Sequence, residues 1–309
     1  MSDVVASASP ITARSRRSTR ITSTARAYFL LTKPRVIELL LVTTLPSMIL
    51  AAGELPSLLL IGEVLLGGAL AAGGANTINC WIERDRDQVM RRTRHRPLPS
   101  GIVDPVHALV FGLVLEVVAF ALLWATVNLL SAVLAVSATL FYVFVYTIWL
   151  KPRSPQNIVI GGAAGAVPVL VGSAAVTGHV TDGAWVLFAI VFFWTPPHFW
   201  ALSLRYRDDY AAAGIPMLPV VRGTEAAARQ ILAYSIVVVA TTFVLLAVEP
   251  MGVLYIVAAA VLGIAFIWAA VRLLRDTNPQ RAIRFFTFSN TYLALLFAAI
   301  AVDVLVRAA

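Results

Sequence analysis

Apolar residues arrive in nine long runs along this chain, each bounded by a short polar or glycine- and proline-bearing segment. They fall near 36–53, 57–80, 105–127, 129–150, 156–177, 183–204, 230–248, 251–274 and 285–306. A bilayer core about 30 Å thick takes roughly 20 apolar residues of helix, and a helix satisfies internally the backbone groups that lipid cannot. The pattern therefore predicts an all-α polytopic membrane protein, a bundle of nine transmembrane helices. Composition agrees, because 60% of the residues are hydrophobic and only 13% charged, against about 25% charged in soluble domains.

Charge adds an orientation. With the amino terminus inside and nine crossings, every lysine and arginine except Arg307 falls in the amino-terminal tail or on the inner side. Such asymmetry is the positive-inside rule. The net charge of +8 is thus accounted for by the lipid bilayer, and no nucleic-acid partner is expected. The outer connections, such as Ala52 to Pro56 and Thr177 to Gly183, are short and nearly uncharged.

Residues 1–28 are rich in Ser, Thr and Arg, with Asp3 the sole acid, and contain no apolar stretch of signal-peptide length. They read as a disordered basic tail ahead of a domain at 29–309, since no amphipathic period is evident. A mitochondrial transit peptide shares that composition; the shortness of the tail favours a bacterial plasma membrane over the mitochondrial inner membrane. The single cysteine, Cys80, excludes an intramolecular disulfide and any multi-cysteine metal site.

Two inner loops are long and polar, Trp81 to Asp104 and Arg205 to Arg229. Each starts acidic and ends in a proline-bearing turn: ERDRD then RPLPSG, and YRDDY then GIPMLPVVRG. The parallel hints at duplication, and it puts both acidic clusters at one membrane face. If the second helix continues inward, Asn79, Glu83 and Asp87, spaced by four, share a helix face with about 40° of drift per step, and Asp85 points away.

A solvated helix end is the plain alternative. Against it, Asp87 follows Glu83 by four, a like-charge pair costing about a few tenths of a kcal/mol unless something neutralises it. Asp208 and Asp209 lie at the same face, with Lys151, Arg153, Arg205 and Arg207 nearby in topology. Opposed carboxylates rimmed by cations suit a divalent metal bridging an anion. Oxygen ligands suit Mg²⁺, which takes one or two carboxylates and leaves the rest to phosphate; arginine and lysine suit phosphate oxygens. A diphosphate at the mouth of an apolar bundle points to a lipid diphosphate, whose allylic cation aromatic rings can shield.

These residues resemble the UbiA superfamily of intramembrane prenyltransferases, whose first motif is N-x3-D-x3-D and whose second aspartate motif lies in a later loop on the same side. The matching pieces are LTKPRVIELLLVTT at 31–44, N-x3-E-x3-D with RTRHRPLPSG at 79–101, KPRSPQNIVIGGAAGAVPVLVGSAAVTG at 151–178, TPPHFWALSL at 195–204 and DDYAAAGIPMLPVV at 208–221. The resemblance implies a UbiA-type bundle that acts on farnesyl diphosphate and heme b. Its expected reaction farnesylates a vinyl group of the porphyrin, adds water and releases diphosphate, with Mg²⁺ as cofactor and heme as substrate. Heme-processing or terminal-oxidase assembly partners would follow.

Carried over by position, Asn79, Glu83, Asp87, Asp208 and Asp209 become the catalytic set, with Glu83, Asp87 and Asp209 as metal ligands. Glu83 departs from the motif, which has Asp there. Arg35, Arg94, Lys151, Arg153 and Arg205 become diphosphate contacts, and Tyr142 and Tyr146, one turn apart, cation shields. His198, in TPPHFW within the sixth span, is an intramembrane ionisable residue and so a candidate heme contact; the bland alternative is a partner for carbonyls freed by Pro196 and Pro197. Asn157 reads as a helix cap or a substrate contact, the cap being favoured, and the GGAAGA run at 161–166 as close helix packing. A prenyltransferase for a quinone precursor or chlorin, and a transporter of lipid diphosphate or heme, are the alternatives.

Overall fold

The computed structural model describes residues 24–309, side chains at 36 and 39–41 excepted, and in that range the chain is helical with no strand. Most of the expected tail lies outside the described residues. Residues 24–31 form a helical segment in which Ala27 and Leu31 are buried, so order begins before residue 29.

Nine long elements follow: α1 (Pro34–Ala52), α2 (Leu58–Val89), α3 (Pro105–Thr126), α4 (Leu129–Leu140), α5 (Asn157–Thr177), α6 (Asp182–Arg205), α7 (Gly223–Val248), α8 (Val253–Arg275) and α9 (Pro279–Ala308). A π-helix, Phe141–Leu150, extends α4. Among the described residues eight helices, counting α4 with its extension as one, are long and apolar enough to cross a membrane, and α1 brings the shorter apolar stretch Val42–Ala52. Val106, Val110, Leu113, Val117 and Trp124 on α3, and Val253, Val257, Val261, Ile264 and Trp268 on α8, are exposed. Apolar faces of this extent belong against lipid, and the chain is an integral membrane protein.

Helix starts follow their caps. Ser57, Asp104, Asn128, Thr181 and Asn278 each accept a backbone N–H of the next turn, and Pro105 and Pro279 occupy the first helical position, where no N–H is needed. Helix α2 runs 32 residues, about 48 Å at 1.5 Å per residue, well beyond a hydrocarbon core of about 30 Å. Its polar extension carries Glu83 and Asp87 on the same unbroken helix as Asn79.

The order of packing matters for the site. Helices α2, α3 and α4 form one side of the bundle and α6 to α9 the other; α1 and α5 pack on each other and join the two, α1 against α2 and α9, α5 against α4 and α6. The cavity lies between these sides.

Candidate active site

A cavity of about 700 Å³ opens between the two sides. Its charged lining is one-sided: Lys33, Arg35, Arg86, Arg92, Arg96 and Lys151 against only Glu83 and Asp87. The excess of cations suits an anion, and a multiply charged one. Deeper in, the wall is Tyr142, Tyr146, Trp194, His198, Phe199 and Phe286 among small residues such as Ala71, Ala75, Ala138 and Gly165.

Helix α2 delivers Asn79, Glu83 and Asp87 on one face, as their spacing requires, and all three are buried. Asn79 accepts from Lys33 Nζ at 2.6 Å and donates to Thr147 Oγ1 at 3.0 Å. Lys151 forms an ion pair with Glu83 Oε1. Arg96 donates to Asp87 Oδ2 at 2.7 Å. Each acid therefore has one oxygen paired, leaving Oε2 of Glu83 and Oδ1 of Asp87 without an ion-pair partner among the described residues. Two buried carboxylates with free oxygens on one helix face fit a hard divalent cation that completes its shell with phosphate.

The cations are set by backbone as well as charge. Lys33 sits at φ +53°, the one non-glycine residue with positive φ among the described residues, a conformation costing roughly 1–2 kcal/mol. The following Pro34 disfavours the right-handed alternative, and Asn76 Nδ2 holds Thr32 O at 2.9 Å beside it. Burial, and then the neighbouring Arg96 and Lys151, keep the Lys33 ammonium below the usual lysine range. For Lys151 and Arg96, burial works against the charge, but the facing Glu83 and Asp87 carboxylates outweigh it and raise both.

The π-helix displays the aromatic pair. Its wide turn is closed by Lys151 N donating to Tyr146 O at 2.8 Å, and Tyr142 and Tyr146 stack at 5.4 Å between centroids. Gly161 makes this possible: a Cβ there would lie 2.3 Å from the Tyr146 ring. Gly162 packs likewise on Thr195, so the glycine run serves helix contact.

On α6, which runs through Pro196 and Pro197, His198 lies between Trp194 and Phe286, each ring 4.2 Å away. Its Nδ1 meets Ser289 Oγ at 2.7 Å. Both faces and one nitrogen are thus committed, and Nε2 has no hydrogen-bond partner among the described residues.

Several expected contacts are placed elsewhere. Asp208 is exposed, and Asp209 accepts from Arg92 N at 3.0 Å; neither lines the cavity. No group of three acidic, histidine or cysteine residues able to hold a metal occurs among the described residues, so Glu83, Asp87 and Asp209 do not converge as one ligand set. The reason is that the segment Arg207–Ala212 is latched to the loop after α2: the Arg92 guanidinium also lies 5.4 Å from the Tyr206 ring. Arg94 Nε donates to His95 Nε2 at 3.3 Å, Arg153 donates to Ile148 O and Trp149 O, and Arg205 lies over Tyr206; all three are exposed and outside the cavity. Arg35 is exposed but lines its mouth. In their stead the site gains Lys33, Arg92, Arg96, Tyr206 and Tyr210. Lys33 and Arg96 lie within the pieces LTKPRVIELLLVTT and RTRHRPLPSG, each next to a proline, and that was their visible signal.

A helical membrane bundle whose cavity joins a cationic, carboxylate-bearing mouth to a long apolar interior defines an enzyme or carrier of lipid anions. The comparisons narrow this. The UbiA prenyltransferase family model matches residues 40–297, and the chain belongs to that family. Proteins named protoheme IX farnesyltransferase are 52% identical in Parafrankia sp. (96% of this chain, 95% of the relative) and 55% identical in Frankia alni (91% and 98%). One in Mycolicibacterium smegmatis is 52% identical over 92% of each chain. Among solved structures, a digeranylgeranylglyceryl phosphate synthase superposes with TM-score 0.74 at 18% identity, covering 91% of this chain and 99% of that one. A UbiA homologue from Archaeoglobus fulgidus bound to GPP and Mg²⁺ superposes with TM-score 0.62 at 19% identity, covering 89% and 99%. At those identities the likeness concerns the fold.

Proposed function

We propose that this chain is a protoheme IX farnesyltransferase: it transfers the farnesyl group of farnesyl diphosphate to a vinyl group of heme b, with addition of water and release of diphosphate, giving heme O. The observation that carries the reading is identity above one half to proteins of that name over nearly the whole of both chains. The cavity supports it. Its mouth matches a diphosphate in charge, and its interior is long, apolar and aromatic.

In this reading Lys33, Arg96 and Lys151 hold the diphosphate, with Arg35 and Arg92 at the mouth. Glu83 and Asp87, oriented with Asn79, would hold Mg²⁺, which when bound would supply positive charge against the diphosphate. Tyr142 and Tyr146 present ring faces to the allylic cation. His198, its ring clamped and its Nε2 unengaged, faces the heme. Asp209 serves the site by latching the rim. Helix α1 makes a ninth crossing, and both polar loops face the cytoplasm of a bacterial plasma membrane.

Purified protein given heme b, farnesyl diphosphate and Mg²⁺ should convert the heme to a species heavier by the hydroxyfarnesyl increment and release diphosphate. Heme of unchanged mass would overturn the reading, whereas prenylation of a quinone precursor or chlorin instead would move the enzyme to another branch of the family.

A further inference from the structure

Helix α3 is apolar along nearly its whole length, yet midway along it stands Glu116. A carboxylate at that depth is costly and ordinarily marks a pathway for protons or ions. Its surroundings are built for it. Thr139 Oγ1 donates to Glu116 Oε1 at 3.0 Å. Opposite, Gly74 makes room, since a Cβ at that position would lie 2.7 Å from Oε1 and 2.9 Å from Cγ of Glu116. Oε2 is buried with no hydrogen-bond partner among the described residues.

Glu116 does not line the cavity, but Thr139 does, one helical turn from Tyr142 on the same element. Around it the wall is Ala71, Ala75, Ala135 and Ala138. Thr195, also in the wall, returns its proton to Val191 O; Thr139 instead hands its proton to a carboxylate. Helix association alone would not call for this, because hydroxyl or amide groups cross-link membrane helices without an ionisable group.

Resting on the heme-farnesylating reading, we propose that the Thr139–Glu116 pair receives the proton of the water that completes the reaction. The C1–O bond of farnesyl diphosphate breaks, its electron pair leaving with diphosphate. The vinyl π pair forms the new C–C bond to C1 and leaves a cation on the carbon next to the porphyrin ring. Water attacks that carbon through an oxygen lone pair. The oxonium proton passes to Thr139 Oγ1 as the Thr139 proton passes to Glu116, giving the neutral alcohol. Without the pair, the cation loses a carbon-bound proton instead, and the product is an alkene lighter by one water. Thr139 is the catalytic residue that touches the water; Glu116 acts through it.

The test is product partition by mass spectrometry, with diphosphate release measured in parallel. Positioned bases contribute about 10²–10⁴-fold, so Glu116→Gln should lower the ratio of hydroxylated to dehydrated farnesyl-heme by at least about tenfold while diphosphate release continues. An unchanged ratio overturns the proposal, as does an equal loss of diphosphate release and both products in folded protein. Should Glu116→Gln fail to fold, Thr139→Val and Thr139→Ser decide: a lowered ratio in the first with a wild-type ratio in the second supports the relay, and a wild-type ratio in Thr139→Val overturns it. Wild-type protein that prenylates no heme would defeat the underlying function, and the relay with it; a wild-type ratio in the variants defeats the relay alone.

Discussion

The two acidic clusters look alike along the chain, each a short run of acids and arginines followed by a proline-bearing turn, but they end up in opposite surroundings. Glu83 and Asp87 are 4% and 3% exposed and face the cavity, while Asp208 is exposed and Asp209 serves as a latch outside it. The cause is the helix beneath them. Helix α2 continues unbroken from the bundle and carries its acids inside the shell of Lys33, Arg96 and Lys151, whereas α6 ends at Arg205 and its acids fall on a separate short helix at the rim. Similar charge thus separates into a cavity wall and a rim contact according to whether the preceding helix stops.

The largest expected difference is between Asp87→Asn and Asp208→Asn. The first removes a buried charge that, in the proposed function, helps hold Mg²⁺ against the diphosphate, and should cost about 100-fold or more in turnover, the scale of a lost electrostatic contact in a transition state. It should reduce the amount of folded protein far less. Asp208→Asn should leave turnover within about twofold, as exposed substitutions away from a site usually do. Comparable losses in both, measured as diphosphate release per folded molecule, would erase the distinction.

Asp209→Ala comes next. It removes an acceptor from the Arg92 backbone N–H, a charge-assisted bond of about 1.5–3 kcal/mol, and with it the tie between the two loops. The expected result is about a tenfold rise in KM for farnesyl diphosphate, with faster proteolysis around 205–222. A fall in kcat at unchanged KM would instead return Asp209 to the chemistry. Smaller still is Glu83→Asp, which restores the general motif but draws the carboxylate back from Lys151; a fewfold loss of turnover, partly repaired at higher Mg²⁺, is expected. A gain would show that the extra methylene is a compromise.

How far these regions were legible follows from the same contrast. Hydropathy located the helices, because lipid demands long apolar runs whatever their neighbours. It ended the second span at 80, nine residues short of Val89, because a polar helix buried by a cavity reads the same as one that has left the membrane. Spacing exposed the stripe Asn79, Glu83 and Asp87, since helical period is local. Lys33 and Arg96 were not assigned to the site, because what places them is contact across the fold: Lys33 reaches Asn79 from 46 residues away. His198 drew notice as an ionisable residue in an apolar run, but the Ser289 hydroxyl that fixes its ring comes from another helix. The arginines nearest the motifs were the least informative, for Arg94, Arg153 and Arg205 all turn to neighbours on the surface.

An effect as small as that of Glu83→Asp concerns the cations. In the cation cluster of the cavity Lys33 is held below the ordinary lysine range. Raising pH therefore discharges Lys33 first, before Lys151, which Glu83 holds up. Loss of one charge on a partly screened diphosphate amounts to about 1 kcal/mol, so kcat/KM for farnesyl diphosphate should fall roughly fivefold across the titration of Lys33. Lys33→Arg keeps the charge and should flatten that alkaline limb. Stability moves the other way: the unfolded chain binds this proton more tightly than the folded one, so between the two pKa values folding is favoured as pH rises. An activity that falls while the folded state gains stability cannot come from general unfolding, and an alkaline limb identical in wild type and Lys33→Arg would assign the loss to a group other than Lys33.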